Sequence, residues 1–142
     1  MGRHAMAVGI DDFELFTDCT KAELRRIGSL TTYLQVPKDR VLMREGSHAK
    51  ELIVIGSGTA RVTRETDAGV AAVADVGSGH FLGGLSLLTG NRRTITAIAT
   101  TDLEVLVSSV SEFREMLQIA PSLEQKLRQT SVVGGSSLDV AA

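Results

Sequence analysis

Between Arg40 and Ser109 every apolar run is short, and most of them end in glycine. Val41-Leu42-Met43 leads to the turn at Gly46, and Glu51-Leu52-Ile53-Val54-Ile55 leads to Gly56-Ser57-Gly58. Residues 59–64 stop at Asp67-Ala68-Gly69, and residues 70–76 stop at Gly77-Ser78-Gly79. Residues 94–98 and 103–107 complete the series. Glycine breaks helices and opens the backbone to tight turns, so this punctuation leaves room only for short strands. Strands at near-regular spacing predict a barrel or jelly roll. Ala60 and Val62 alternate with Arg61 and Thr63, which gives that strand one dry and one wet face. Fourteen glycines against two prolines fit the same reading, and Pro37 closes a further strand-like run at residues 31–36.

Helical signals bracket the strands. Asp11-Asp12-Phe13-Glu14-Leu15-Phe16 reads as a short helical turn with aromatic anchors. Thr20-Lys21-Ala22-Glu23 has the Thr-x-x-Glu form of a capping box. It predicts a helix over 21–28, with Leu24 and Ile27 facing inward. Ser109-Val110-Ser111-Glu112 repeats the signal before residues 113–119, where Phe113, Met116 and Leu117 share a face. Pro121 suits the first turn of a last helix, lined by Leu123 and Leu127 and fading near Val132-Val133. The expected organisation is a polar leader at 1–8, an expression remnant, one domain at 9–133, and a flexible tail at 134–142.

One segment carries chemistry. Gly79-His80-Phe81-Leu82-Gly83-Gly84-Leu85-Ser86-Leu87-Leu88 is a glycine turn followed by a single apolar helical turn. Arg92-Arg93-Thr94-Ile95-Thr96-Ala97 follows closely. Backbone N–H groups opening a helical turn point outward with partial positive charge. An arginine fork nearby closes on phosphate oxygens from the other side. The order therefore builds an anion cradle.

The segment resembles the phosphate-binding cassette of the cyclic nucleotide-binding domain family, found in the catabolite activator protein and the regulatory subunit of protein kinase A. The resemblance extends over about residues 13–133 and takes in Gly46, Ile53-Val54-Ile55-x-x-Gly58, Val62, Gly77, Gly79 and Pro121-Ser122-Leu123. It implies a mainly β fold with flanking helices, a double-stranded β-helix or jelly-roll-like β-roll. It also implies a ligand, cAMP or cGMP, no resident cofactor, and a role as a regulatory sensor without enzymatic activity. Arg93 matches the family arginine that pairs with the cyclic phosphate, and Thr94 the small residue after it. Gly83, Gly84, Leu85 and Ser86 match the turn whose N–H groups complete the cradle. Gly84 departs from the pattern. The family normally has a glutamate there, accepting the ribose 2′-hydroxyl, so the phosphate half of the site is kept and the ribose half is not. The alternative is a degenerate, ligand-free domain of the same fold used for protein interaction or dimerisation through its last helix.

Other classes find little support. The net charge is −2 with mixed signs, unlike the basic surfaces that bind nucleic acid. No apolar run approaches the roughly 20 residues of a membrane span, and no signal-peptide core is present. His4, His48 and His80 are dispersed without ligand spacing, against a metal site. Cys19 stands alone, so no intrachain disulfide forms, and a reducing cytoplasm is the expected setting. Cys19 reads as a half-buried small side chain, Arg92 as a solvated neighbour of Arg93, and Phe81 and Leu85 as core. No nucleophile–base pair or paired carboxylates stand out.

Overall fold

The computed structural model describes residues 13–132. The leader and tail expected at 1–8 and 134–142 lie outside the described residues. Among the described residues, eight strands form two four-stranded sheets. β1 (Thr32–Val36), β8 (Leu103–Ser109), β3 (Glu51–Ser57) and β6 (Phe81–Leu82) make one; β2 (Val41–Met43), β7 (Thr96–Ala99), β4 (Ala60–Thr66) and β5 (Gly69–Val76) make the other. Every pairing is antiparallel, and the chain crosses between sheets as a jelly roll does.

The helices gather on one sheet. A 3-10 turn (Glu14–Phe16) and α1 (Lys21–Gly28) precede the roll, and α2 (Gly84–Thr89) is inserted between β6 and β7. α3 (Val110–Ile119) and α4 (Ser122–Val132) follow it. Both expected capping boxes form, Thr20 with Glu23 and Ser109 with Glu112, and each fixes a helix start by satisfying two backbone donors.

Two cores result, and β3 lies between them. Ile53 and Ile55 point between the sheets, onto Met43, Val62, Leu82, Ile95 and Val105. Leu52 and Val54 point the other way, onto Phe13, Phe113, Met116 and Leu127 from the helical layer. A strand buried on both faces reads as an unbroken apolar run, which is what residues 52–55 are. β4 has only one covered face and alternates, with Ala60 and Val62 buried and Arg61 exposed.

The strand expected from Thr94 starts at Thr96 instead. Upstream, Arg93 spends its backbone groups on the preceding turn, donating to Ser47 O at 2.9 Å and accepting from Gly46 N at 2.8 Å. β6 was unmarked in the sequence because its two residues lie inside the cassette turn.

Gly58 sits where the β3–β4 turn meets the β7–β8 turn. Its φ is +91°, and a Cβ there would collide with the backbone oxygen of Asp102 and stand 2.7 Å from Leu103 Cδ2. Gly58→Ala should therefore destabilise the domain by about 3 kcal/mol, combining the left-handed backbone cost with an unrelieved backbone clash. A urea-denaturation midpoint equal to that of the parent protein would refute this.

Candidate functional site

The cassette is set by a short ladder and two left-handed glycines. β6 pairs with β3 through Ile53–Leu82 and Val54–Phe81, which delivers Gly83 to the start of β3. Gly83 caps α2 with φ +91°, and Gly90 ends it with φ +76°. A Cβ at Gly83 would lie 2.9 Å from Glu51 O and would collide with the Arg93 guanidinium, so only glycine fits.

Arg93 is the centre of the site. It is 3% exposed, one of only three buried polar residues among those described. Nη1 donates to Gly83 O at 3.1 Å and to Ser86 Oγ at 3.0 Å, and Nη2 donates to Glu51 O at 2.7 Å. The Glu51 carboxylate stands 3.6 Å from Nη2 and is partly open to solvent. Burial pushes the Arg93 guanidinium below its ordinary pKa, and the nearby Glu51 charge opposes that shift. Ser86 is buried and also donates to Gly83 O at 3.3 Å. The arginine thus ties β3, Gly83 and α2 into one unit.

The structure brings Gly83, Ser86 and Arg93 into direct contact and spreads the other expected residues around them. Leu85 is half-buried and Thr94 exposed. Gly84 is buried beneath α4: a Cβ there would lie 2.5 Å from Leu127 Cδ2 and 3.5 Å from Leu52 Cδ1. Leu127 is fully buried. The position where the resemblance implies a glutamate is therefore covered by an apolar side chain from the last helix. Glu51 and Leu127 are the site residues that sequence reasoning missed. Leu127 was assigned as apolar, but its partner Gly84 lies 43 positions away and no local pattern links them.

Arg92 is exposed and donates to Gly46 O at 3.0 Å. His80 is exposed, with Nδ1 3.1 Å from the Gly77 N–H, a turn contact. Cys19 is half-buried, and burial raises its thiol pKa, with a smaller push from Glu23. Among the described residues, no group of His, Cys, Asp and Glu is arranged to hold a metal ion. No described helix is long and apolar enough to cross a membrane.

The architecture is a two-sheet roll with an arginine-pinned glycine turn between β6 and β7 and helices closing over that turn. Comparison with known proteins identifies it. The family model described as "Cyclic nucleotide-binding domain" matches residues 33–120, and the chain belongs to that family. A cyclic nucleotide-binding-like protein from Brucella abortus is 31% identical, over 76% of this chain and 93% of that one, with a TM-score of 0.65. The regulatory subunit of a cAMP-independent protein kinase A from Trypanosoma brucei shares the fold at a TM-score of 0.83 and 17% identity, covering 91% of this chain and 46% of that one. The acetyltransferase Pat of Mycolicibacterium smegmatis is 25% identical over 122 residues, 86% of this chain but only 37% of the relative.

Proposed function

We propose that this domain is a regulatory sensor in which Arg93 and the turn at residues 83–86 receive the phosphate of a cyclic nucleotide, cAMP or cGMP. The observation that carries the reading is the buried Arg93 fork, held in place by Gly83 O, Ser86 Oγ and Glu51 O. A guanidinium keeps its charge when buried and presents parallel donors that suit phosphate oxygens. Thr94, exposed beside it, offers a further hydroxyl. No chemical step is assigned to the domain. A reducing cytoplasm suits its free thiol Cys19.

Affinity is expected to be modest. A hydrogen bond to a charged group contributes about 1.5–3 kcal/mol, so a site without the ribose glutamate binds roughly 10- to 150-fold more weakly than one that has it. Signalling follows from the contact between Leu127 and Gly84. A ribose seated over Gly84 displaces Leu127, so occupancy and the position of α4 are coupled. The ligand shifts that balance only by its differential affinity for the two positions. An attached or associated effector domain, or a second copy paired along α4, would read the movement. The same contact favours a second reading, a closed ligand-free docking module.

Calorimetric titration with cAMP and cGMP decides between them. The sensor predicts saturable heat that is lost in Arg93→Lys, a variant that keeps the charge but loses the fork, with circular dichroism confirming its fold. Amide shifts should concentrate in residues 79–97 and in α4. No heat and no shift at millimolar nucleotide would leave the docking module.

A further inference from the structure

Beside Arg93 lies an open groove of 780 Å³, lined by the segment before β2, β2 itself, the segment after it and Glu51 at the start of β3. Its size falls within the roughly 300–1,000 Å³ of ordinary small-molecule sites. Its charge is at odds with the rest of the chain. The protein carries a net charge of −2, yet Lys38, Arg40, Arg44, Lys50 and Arg93, five of its 15 lysines and arginines, line this groove. Only Asp39 and Glu51 line it with opposite charge. Glu51 stands against Arg93. Two further acids stand near its edge without lining it: Asp102 accepts the Lys38 backbone N–H at 2.8 Å, and Glu45, next to Arg44, accepts the Glu65 backbone N–H at 2.9 Å.

Lys38, Arg40, Arg44 and Lys50 are all exposed. Among the described residues none of the four makes a salt bridge. Like charges crowded on one concavity repel and raise a local positive potential, which draws in counter-ions. A single negative charge would leave most of them unanswered. One exposed ion pair contributes little, but several cations acting on one ligand with linked charges add up.

We propose that this groove binds a compound carrying a chain of phosphates, of the class of inorganic triphosphate or the phosphate chain of a nucleotide. The outer phosphates meet Lys38, Arg40, Arg44 and Lys50, and the innermost lies toward the buried Arg93. Arg93 is shared with the proposed cyclic nucleotide site, but the other four cations lie outside the cassette, and variants of those four test this groove separately.

The test titrates the full chain with inorganic triphosphate, ATP and orthophosphate by calorimetry, at low and at physiological salt. Triphosphate should bind saturably and weaken as salt rises. The double variant Arg40→Glu/Lys50→Glu, at exposed positions, should lose about tenfold or more in triphosphate affinity. It should keep whatever cyclic nucleotide heat the parent shows. Arg61→Glu, which removes an exposed cation paired with Asp75 on β4, should change nothing. ATP binding at least as tightly as triphosphate upholds the assignment. The assignment is overturned by an absence of triphosphate heat, by orthophosphate matching triphosphate, or by an equal loss in the Arg61 variant. Tighter binding of a single-stranded oligonucleotide than of either triphosphate compound would also overturn it.

Discussion

Gly84→Glu is expected to destabilise the domain by about 3 kcal/mol on its own and to do far less harm when combined with Leu127→Ala. The glutamate Cβ would stand 2.5 Å from Leu127 Cδ2, and its carboxylate would start out among Leu127 and Leu52. Overpacking costs about 1–3 kcal/mol, and an unpaired charge against leucines adds to it. Leu127→Ala alone removes a fully buried side chain and should cost roughly 2–5 kcal/mol. The two effects share one volume. The new side chain fills the space that the lost one vacates, so the double variant should be more stable than the sum of the singles by about 1–3 kcal/mol. Urea denaturation of the four proteins measures that coupling. Strict additivity would mean that α4 does not rest on Gly84 in solution. The double variant should also gain affinity for cAMP over its 2′-deoxy analogue, because a carboxylate would again face the ribose 2′-hydroxyl. Equal affinity for the two ligands would show that position 84 does not meet the ribose.

Arg93→Met is the second large effect. The methionine fills much of the same space but supplies no donor. Gly83 O, Ser86 Oγ and Glu51 O would lose the guanidinium, and the Glu51 carboxylate would lose its counter-charge. Breaking a buried charged pair costs about 3–5 kcal/mol. Glu51 is 31% exposed at its side chain, and water there moderates the loss, which places the expected value near 3 kcal/mol. The damage should be local before it is global. Hydrogen exchange at the α2 amides should accelerate more than at the β3–β8 ladder, since Arg93 is what ties α2 to the roll. A variant that keeps both its midpoint and its α2 protection would show that the arginine holds nothing together.

Much of the fold was legible because the forces that set it are local. The capping boxes at Thr20 and Ser109, the glycine turns, and the alternation along β4 each act within a few residues, and each appears at the expected place. The cassette was legible for the same reason: Gly83, Ser86 and Arg93 sit within a stretch of 11 positions. β3 gave no alternation, because it is covered on both faces. The Lys38–Asp39–Arg40 run and the nearby Arg44 and Lys50 were visible as charges, but nothing in their order showed that they surround one groove.

The amino-acid order alone determined a roll of short strands, its helical ends, and an arginine placed to meet a glycine turn, since turn geometry, capping and pleat alternation are written in neighbouring residues. Tertiary structure decided what surrounds that arginine. Glu51 comes from a strand 42 positions earlier, and Leu127 comes from the last helix to cover Gly84. Contacts between distant segments exist only once the chain has closed on itself, because each is selected by the shared burial of both partners and by no pattern in either one.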